Sequence, residues 1–133
     1  DPTLPLVIDL GCGYGTSLIG LCDAQRRTIS AMTQTTTRDN VSADEGDSNS
    51  GGSGSIIFNF LGVDMSREAI RFGQSVSRRW FSDGDGVGGS CRFVESDCES
   101  GLDWVLREYP GTVHWVLCQF PSPYRLKDLF QNP

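Results

Sequence analysis

"LVIDLGCGYGTSL", residues 6–18, decides the fold: an apolar run carrying one aspartate, glycine at every second position from Gly11 to Gly15, then a second apolar run. Val7, Ile8 and Leu10 read as a buried strand, and Leu18, Leu21 and Cys22, with Ile19 beside them, as the inner stripe of a helix. Glycine has no Cβ and tolerates positive φ, so Gly11, Gly13 and Gly15 let the backbone turn sharply while something bulky approaches it. A strand, a glycine turn and a helix N-terminus make the first unit of an open α/β sheet, whose ligands sit beyond the carboxyl ends of the strands.

Spacing separates the ligand classes that use such a turn. A dinucleotide fingerprint G-x-G-x-x-G needs glycine at position 16, where this chain has Thr16. The pattern present is D-x-G-x-G-x-G, and its Asp9 would repel a pyrophosphate but suits a ligand bearing an ammonium group. It resembles the first motif of the class I S-adenosylmethionine-dependent methyltransferases. A tight turn with no ligand is the plainer alternative, and a nicotinamide-dependent oxidoreductase is disfavoured by Thr16 and Asp9.

Working outward, the helix is expected to end near Arg26. Residues 33–55, "TQTTTRDNVSADEGDSNSGGSGS", read as a disordered insertion because they hold few apolar residues and end in a Gly/Ser tract. The apolar "IIFNFLGVD" is then a second strand. Ser66 is placed to cap a helix carrying Ile70, Gly73, Val76 and Trp80 at helical spacing, which "SDGDGVGGS" ends. "CRFVES" is a short third strand, and Ser100 with Asp103 resembles a capping box before Leu102, Val105, Leu106 and Tyr109. Val113 to Cys118 is apolar on both alternating faces apart from His114, the pattern of a central parallel strand buried on both sides.

The order β-α-β-α-β-α-β implies an α/β, Rossmann-like fold, an open and mostly parallel sheet with helices on both faces, and the resemblance of the first motif implies that it is of the class I methyltransferase kind. Its 133 residues suffice for one domain but are short for a complete doubly wound sheet, so residues 1–133 read as the N-terminal part of a single domain truncated after the fourth strand. Such a fragment is expected to expose an unpaired edge and an apolar face, and to aggregate.

The five cysteines show no C-x-x-C pair, which argues against zinc and for reduced, buried thiols in an intracellular protein. His114 reads as a packed core histidine rather than a metal ligand. No apolar run is long enough for a bilayer. The net charge of −6 opposes nucleic-acid binding, but half of it lies in residues 33–55, where Asp39, Asp44, Glu45 and Asp47 face Arg38 alone. Arg67, Arg71, Arg78 and Arg79 crowd one helix, either as a solvated face or as a phosphate-binding stripe.

If the first turn holds a cofactor, chemistry should recur at the other strand ends, and it does. "GVDMS" offers Asp64 for ribose hydroxyls, "ESDCE" offers Asp97 for an adenine amino group with the Cys98 backbone N–H beside it, and "LCQFPSPY" offers Gln119. Each alone is also a common turn former.

"DLGCGYG" taken with "QFPSPY" resembles the tRNA (guanine-N7)-methyltransferase family, whose fourth strand is followed by an N/L-F-P-D-P-W/H segment. The resemblance covers most of the chain outside the insertion, but only the first half of the family's catalytic domain. It implies S-adenosylmethionine as methyl donor, held by Asp9, Gly11, Gly13, Gly15, Asp64, Ser66, Asp97, Cys98 and Gln119, and tRNA as acceptor. The family's active-site aspartate corresponds to Ser122, with Tyr124 and Arg125 as substrate contacts; the basic cluster that follows is reduced to Arg125 and Lys127. Eukaryotic members work with a WD-repeat partner that helps hold tRNA, which would offset an acidic surface. Two alternatives stay open. Pro121-Ser122-Pro123-Tyr124 distantly resembles the [DNS]-P-P-[YF] loop of amine-directed methyltransferases with its order changed, and a catalytically inactive relative could serve as an interaction module.

Overall fold

In the computed structural model, residues 1–36, 55–81 and 88–119 are described. They form an α/β unit in the order β1 (Leu6–Leu10), α1 (Thr16–Thr36), β2 (Asn59–Asp64), α2 (Arg67–Trp80), β3 (Cys91–Glu95), α3 (Cys98–Glu108) and β4 (Val113–Leu117). The four strands make one open, all-parallel sheet in the order β3-β2-β1-β4. The topology is Rossmann-like, with the first strand inside the sheet and successive strands added outward from it.

Each face of the sheet buries its own apolar cluster, as a parallel sheet requires. Leu18, Ile19 and Cys22 of α1 and Ile70 of α2 close over Val7, Phe60, Cys91 and Phe93. On the other face Val105 and Leu102 of α3 close over Leu6, Ile8, Leu10 and Val63. Asn59 joins the starts of the strands: its Nδ2 donates to Asp1 O and Tyr109 Oη, and its Oδ1 accepts from Ser90 N.

Four expectations about the elements need correction. The first helix does not stop near Arg26 but runs to Thr36, so residues 33–36 belong to it rather than to an inserted loop. Along this stretch Arg27 pairs with Asp23 at 2.8 Å and Thr33 Oγ1 donates to Ile29 O, both on the solvent side. Residues 37–54, the rest of the expected insertion, lie outside the described residues. The second strand starts only at Asn59, with Ile56 61% exposed ahead of it; Gln25 instead pairs with both backbone groups of Phe58, at 2.8 and 3.0 Å.

The third helix is capped by Asp97, not by Ser100: Asp97 Oδ1 accepts from Ser100 N at 2.8 Å. Lastly, among the described residues β4 lies at the edge of the sheet rather than at its centre, and its Trp115 and Val116 are exposed. Its pairing with β1 slips between Leu6 and Val7, skipping His114, whose exposed ring tilts against Phe58 instead of entering the core. An apolar strand looks central only until its neighbours are known.

Among the described residues no helix is long and apolar enough to cross a membrane, and no group of side chains is arranged to hold a metal ion.

Candidate functional site

Because all four strands are parallel, their carboxyl ends lie at one end of the sheet, and the sequence-predicted positions that are described gather there. β1 ends in the glycine turn, with Gly11, Gly13 and Gly15 at φ 74°, 54° and 73°. Side chains rarely adopt this backbone, so the alternation of glycines follows from the turn. Gly11 N and Cys12 N both donate to Val63 O, at 2.8 and 3.1 Å, which pins the turn to the end of β2.

Asp64 holds the turn from the side. Its Oδ2 accepts from Gly13 N and its Oδ1 from Ser66 N, each at 2.8 Å. One carboxylate thus bridges the end of β1 and the start of α2, where Ser66 Oγ caps the helix by accepting from Ala69 N. These donors do not exhaust it, since each carboxylate oxygen has a second lone pair.

Asp9 sits beneath the turn, 3% exposed, and its Oδ1 has no hydrogen-bond partner among the described residues. Burial, then repulsion from Asp64, pushes its carboxyl above the usual 3.8. Two neighbouring buried carboxylates are costly unless paired, so this corner favours a cation or a donor. The same acidity pushes the Cys12 thiol up to about 12, with burial the larger cause.

The glycines divide in what they face. A Cβ at Gly13 would meet nothing within 4 Å, so this part of the turn is open to an approaching ligand. At Gly15 the approaching group belongs to the protein: a Cβ there would run into the ring of Phe93. Gly62 and Gly73 face the same ring, their hypothetical Cβ atoms coming within 2.5 and 3.1 Å of it. Phe93, 5% exposed, therefore fills a socket of three glycines and supports the turn from below.

The remaining predicted residues line the rim. Asp97 is exposed and holds the start of α3; the Ser100 backbone N–H pulls its carboxyl below the usual range. Cys98 opens α3 and is exposed, its thiol raised by partial burial and by neighbouring Cys118 and Asp64. All five cysteines are free, as reduced thiols would be, but where most were expected to be buried only Cys22 and Cys91 are, with Cys12 partly so. Gln119 Oε1 accepts from Ser17 Oγ at 3.4 Å, linking the end of β4 to the first turn of α1. Ser122, Tyr124 and Arg125 lie outside the described residues.

Sequence reasoning missed Ser17, Phe93 and the pair formed by Tyr14 and Phe72, half-exposed rings in edge-to-face contact at 5.4 Å. Tyr14 inside the glycine tract was a usable signal; Phe93 looked like any strand residue.

No family model, curated protein or solved structure matches the chain. The fold and the strand-end geometry define its class: an α/β protein with a Rossmann-like, all-parallel sheet and a glycine turn backed by two buried carboxylates.

Proposed function

We propose that the chain binds S-adenosylmethionine at the carboxyl ends of its strands and transfers the methyl group to N7 of guanine in tRNA. The observation that carries the cofactor part is Asp9, a buried carboxylate with an orphaned oxygen beside Asp64 and below the open face of Gly13. These residues fit the group. Asp9 would attract its ammonium, Asp64 has lone pairs left for ribose hydroxyls, and Gly13 leaves room for close approach. When bound, the cofactor supplies an electrophilic methyl on a sulfonium.

The acceptor part rests on the resemblance in "QFPSPY". Guanine N7 carries a free lone pair, so the chain need not remove a proton; its task is to hold the two reactants in line. The product base is cationic, and Ser122 stabilises such charge less well than the aspartate of the resembling family. A slow enzyme is therefore expected. A WD-repeat partner, as in eukaryotic members of that family, would supply tRNA contacts that an acidic chain lacks.

Calorimetric titration with S-adenosylhomocysteine tests the cofactor part. The Asp64→Ala variant should bind about 5- to 150-fold more weakly, the cost of roughly 1–3 kcal/mol for leaving buried polar groups unpaired. A folded wild-type chain that takes up no ligand refutes it. Methylation of unmodified tRNA, with N7-methylguanosine read by mass spectrometry, tests the acceptor.

A further inference from the structure

A cavity of about 900 Å³ runs along the outer edge of β3, starting from the amino end of that strand. It begins away from the glycine turn, at the far end of strands roughly 15 Å long. Among the described residues its charged lining is Arg26, Arg78 and Arg92 with Asp1, within a chain of net charge −6. Arg78 and Arg92 are exposed and make no ion pair with any described residue, whereas Arg27, Arg67 and Arg107 are paired with Asp23, Glu95 and Asp103. Trp104 of α3, half of whose surface is exposed, shares the lining.

An edge strand ordinarily invites another strand. Here that route is obstructed. β3 pairs with β2 through Ser90, Arg92 and Val94, so the carbonyls of Cys91 and Phe93 point away from the sheet. Both are already occupied: Ser77 Oγ donates to Cys91 O, and Gln74 Nε2 donates to Phe93 O at 2.9 Å. An added peptide would have to displace or share with these side chains the acceptors a ladder needs. The groups left available are two guanidiniums and an indole, which suit phosphates and a stacked base.

We infer that the β3-edge groove binds single-stranded nucleic acid, with Arg78 and Arg92 on phosphates and Trp104 stacked on a base. This site is distinct from the strand-end site, and its occupation does not depend on methyl transfer. The net acidity of the chain repels polyanions at long range, so binding is weak, with the modest salt dependence of two phosphate contacts.

Fluorescence anisotropy of a labelled 12-nucleotide uridine strand, titrated with the full chain, reads the groove. Two phosphate contacts on a single strand give a slope of about −1.4 in log K against log salt, about a sevenfold loss between 50 and 200 mM. Arg78→Ala or Arg92→Ala should each lower that slope by about 0.7, and Trp104→Ala should weaken binding about tenfold. Trp80→Ala and Arg107→Ala, exposed residues outside the groove, should change nothing. The inference is overturned if folded protein, checked by circular dichroism, binds no strand, or if the groove variants bind as wild type does. It is also overturned if phosphatidylserine vesicles, but not the strand, are bound through Arg78 and Arg92. Calorimetry with S-adenosylhomocysteine on the same samples keeps failure here separate from failure of the cofactor site.

Discussion

The Phe93 socket makes the sharpest prediction about how this sequence supports its site. Three glycines from β1's turn, β2 and α2 surround one ring, and they differ in how near a methyl group would come to it. At Gly73 the three nearest atoms are all Phe93 ring atoms at 3.1 Å; at Gly62 the ring lies at 2.5 Å with Cys12 Sγ at 2.7 Å; at Gly15 the approach is closer still and φ is 73°. Alanine substitutions should therefore destabilise in the order Gly73, Gly62, Gly15. For Gly73→Ala, overpacking of about 1–3 kcal/mol opposes a helix-propensity gain of about 1 kcal/mol, leaving roughly 0–2 kcal/mol of net loss. Phe93→Ala by itself should cost about 3–5 kcal/mol through the cavity it leaves.

In the Phe93→Ala background the new methyl enters vacated space, so Gly73→Ala should become stabilising by about 1 kcal/mol, a coupling of about 1–3 kcal/mol. Urea unfolding of the four proteins, followed by circular dichroism, closes the cycle; Phe93→Leu replaces the alanine variant if too little of the latter folds. Purely additive effects, or Gly15→Ala proving milder than Gly73→Ala, would refute the reasoning that the ring and the glycines define each other.

Other tests address charge, capping and the open edge. Asp9 has a raised pKa when folded, so between 3.8 and that value the folded chain holds more protons than the unfolded one, and stability falls as pH rises through this window. Asp9→Asn should remove that slope and raise the neutral-pH melting temperature while weakening S-adenosylhomocysteine binding; a lower melting temperature contradicts the assignment. Asp97 has the opposite sign: its folded pKa is depressed, so its contribution is present above 3.8 and is lost as pH falls through the depressed value, a slope that Asp97→Asn should abolish in acid titrations. Ser66→Ala should cost about 1 kcal/mol in chemical denaturation through loss of the α2 cap. Trp115→Lys on the exposed edge should reduce concentration-dependent association in sedimentation velocity, with some loss of melting temperature because Trp115 stacks on Phe58 at 5.9 Å.

The sequence by itself determined the alternation of strands and helices, the place of the turn and the convergence of Asp9, Asp64, Asp97 and Gln119. Those features are legible because their causes are local. A positive φ demands glycine, burial demands an apolar run, and a parallel sheet with crossover helices brings every strand end to one side. Only the tertiary structure decided what depends on neighbours. Val113–Leu117 reads as a central strand, yet among the described residues nothing pairs with its outer side, since a strand's own pattern does not name the distant segments it pairs with. α1 continues to Thr36, ten residues past the point where its apolar periodicity fades near Arg26. Gly62 and Gly73 look like chance glycines until Phe93 occupies the space between them, since a side chain's volume excludes partners that no spacing along the chain reveals.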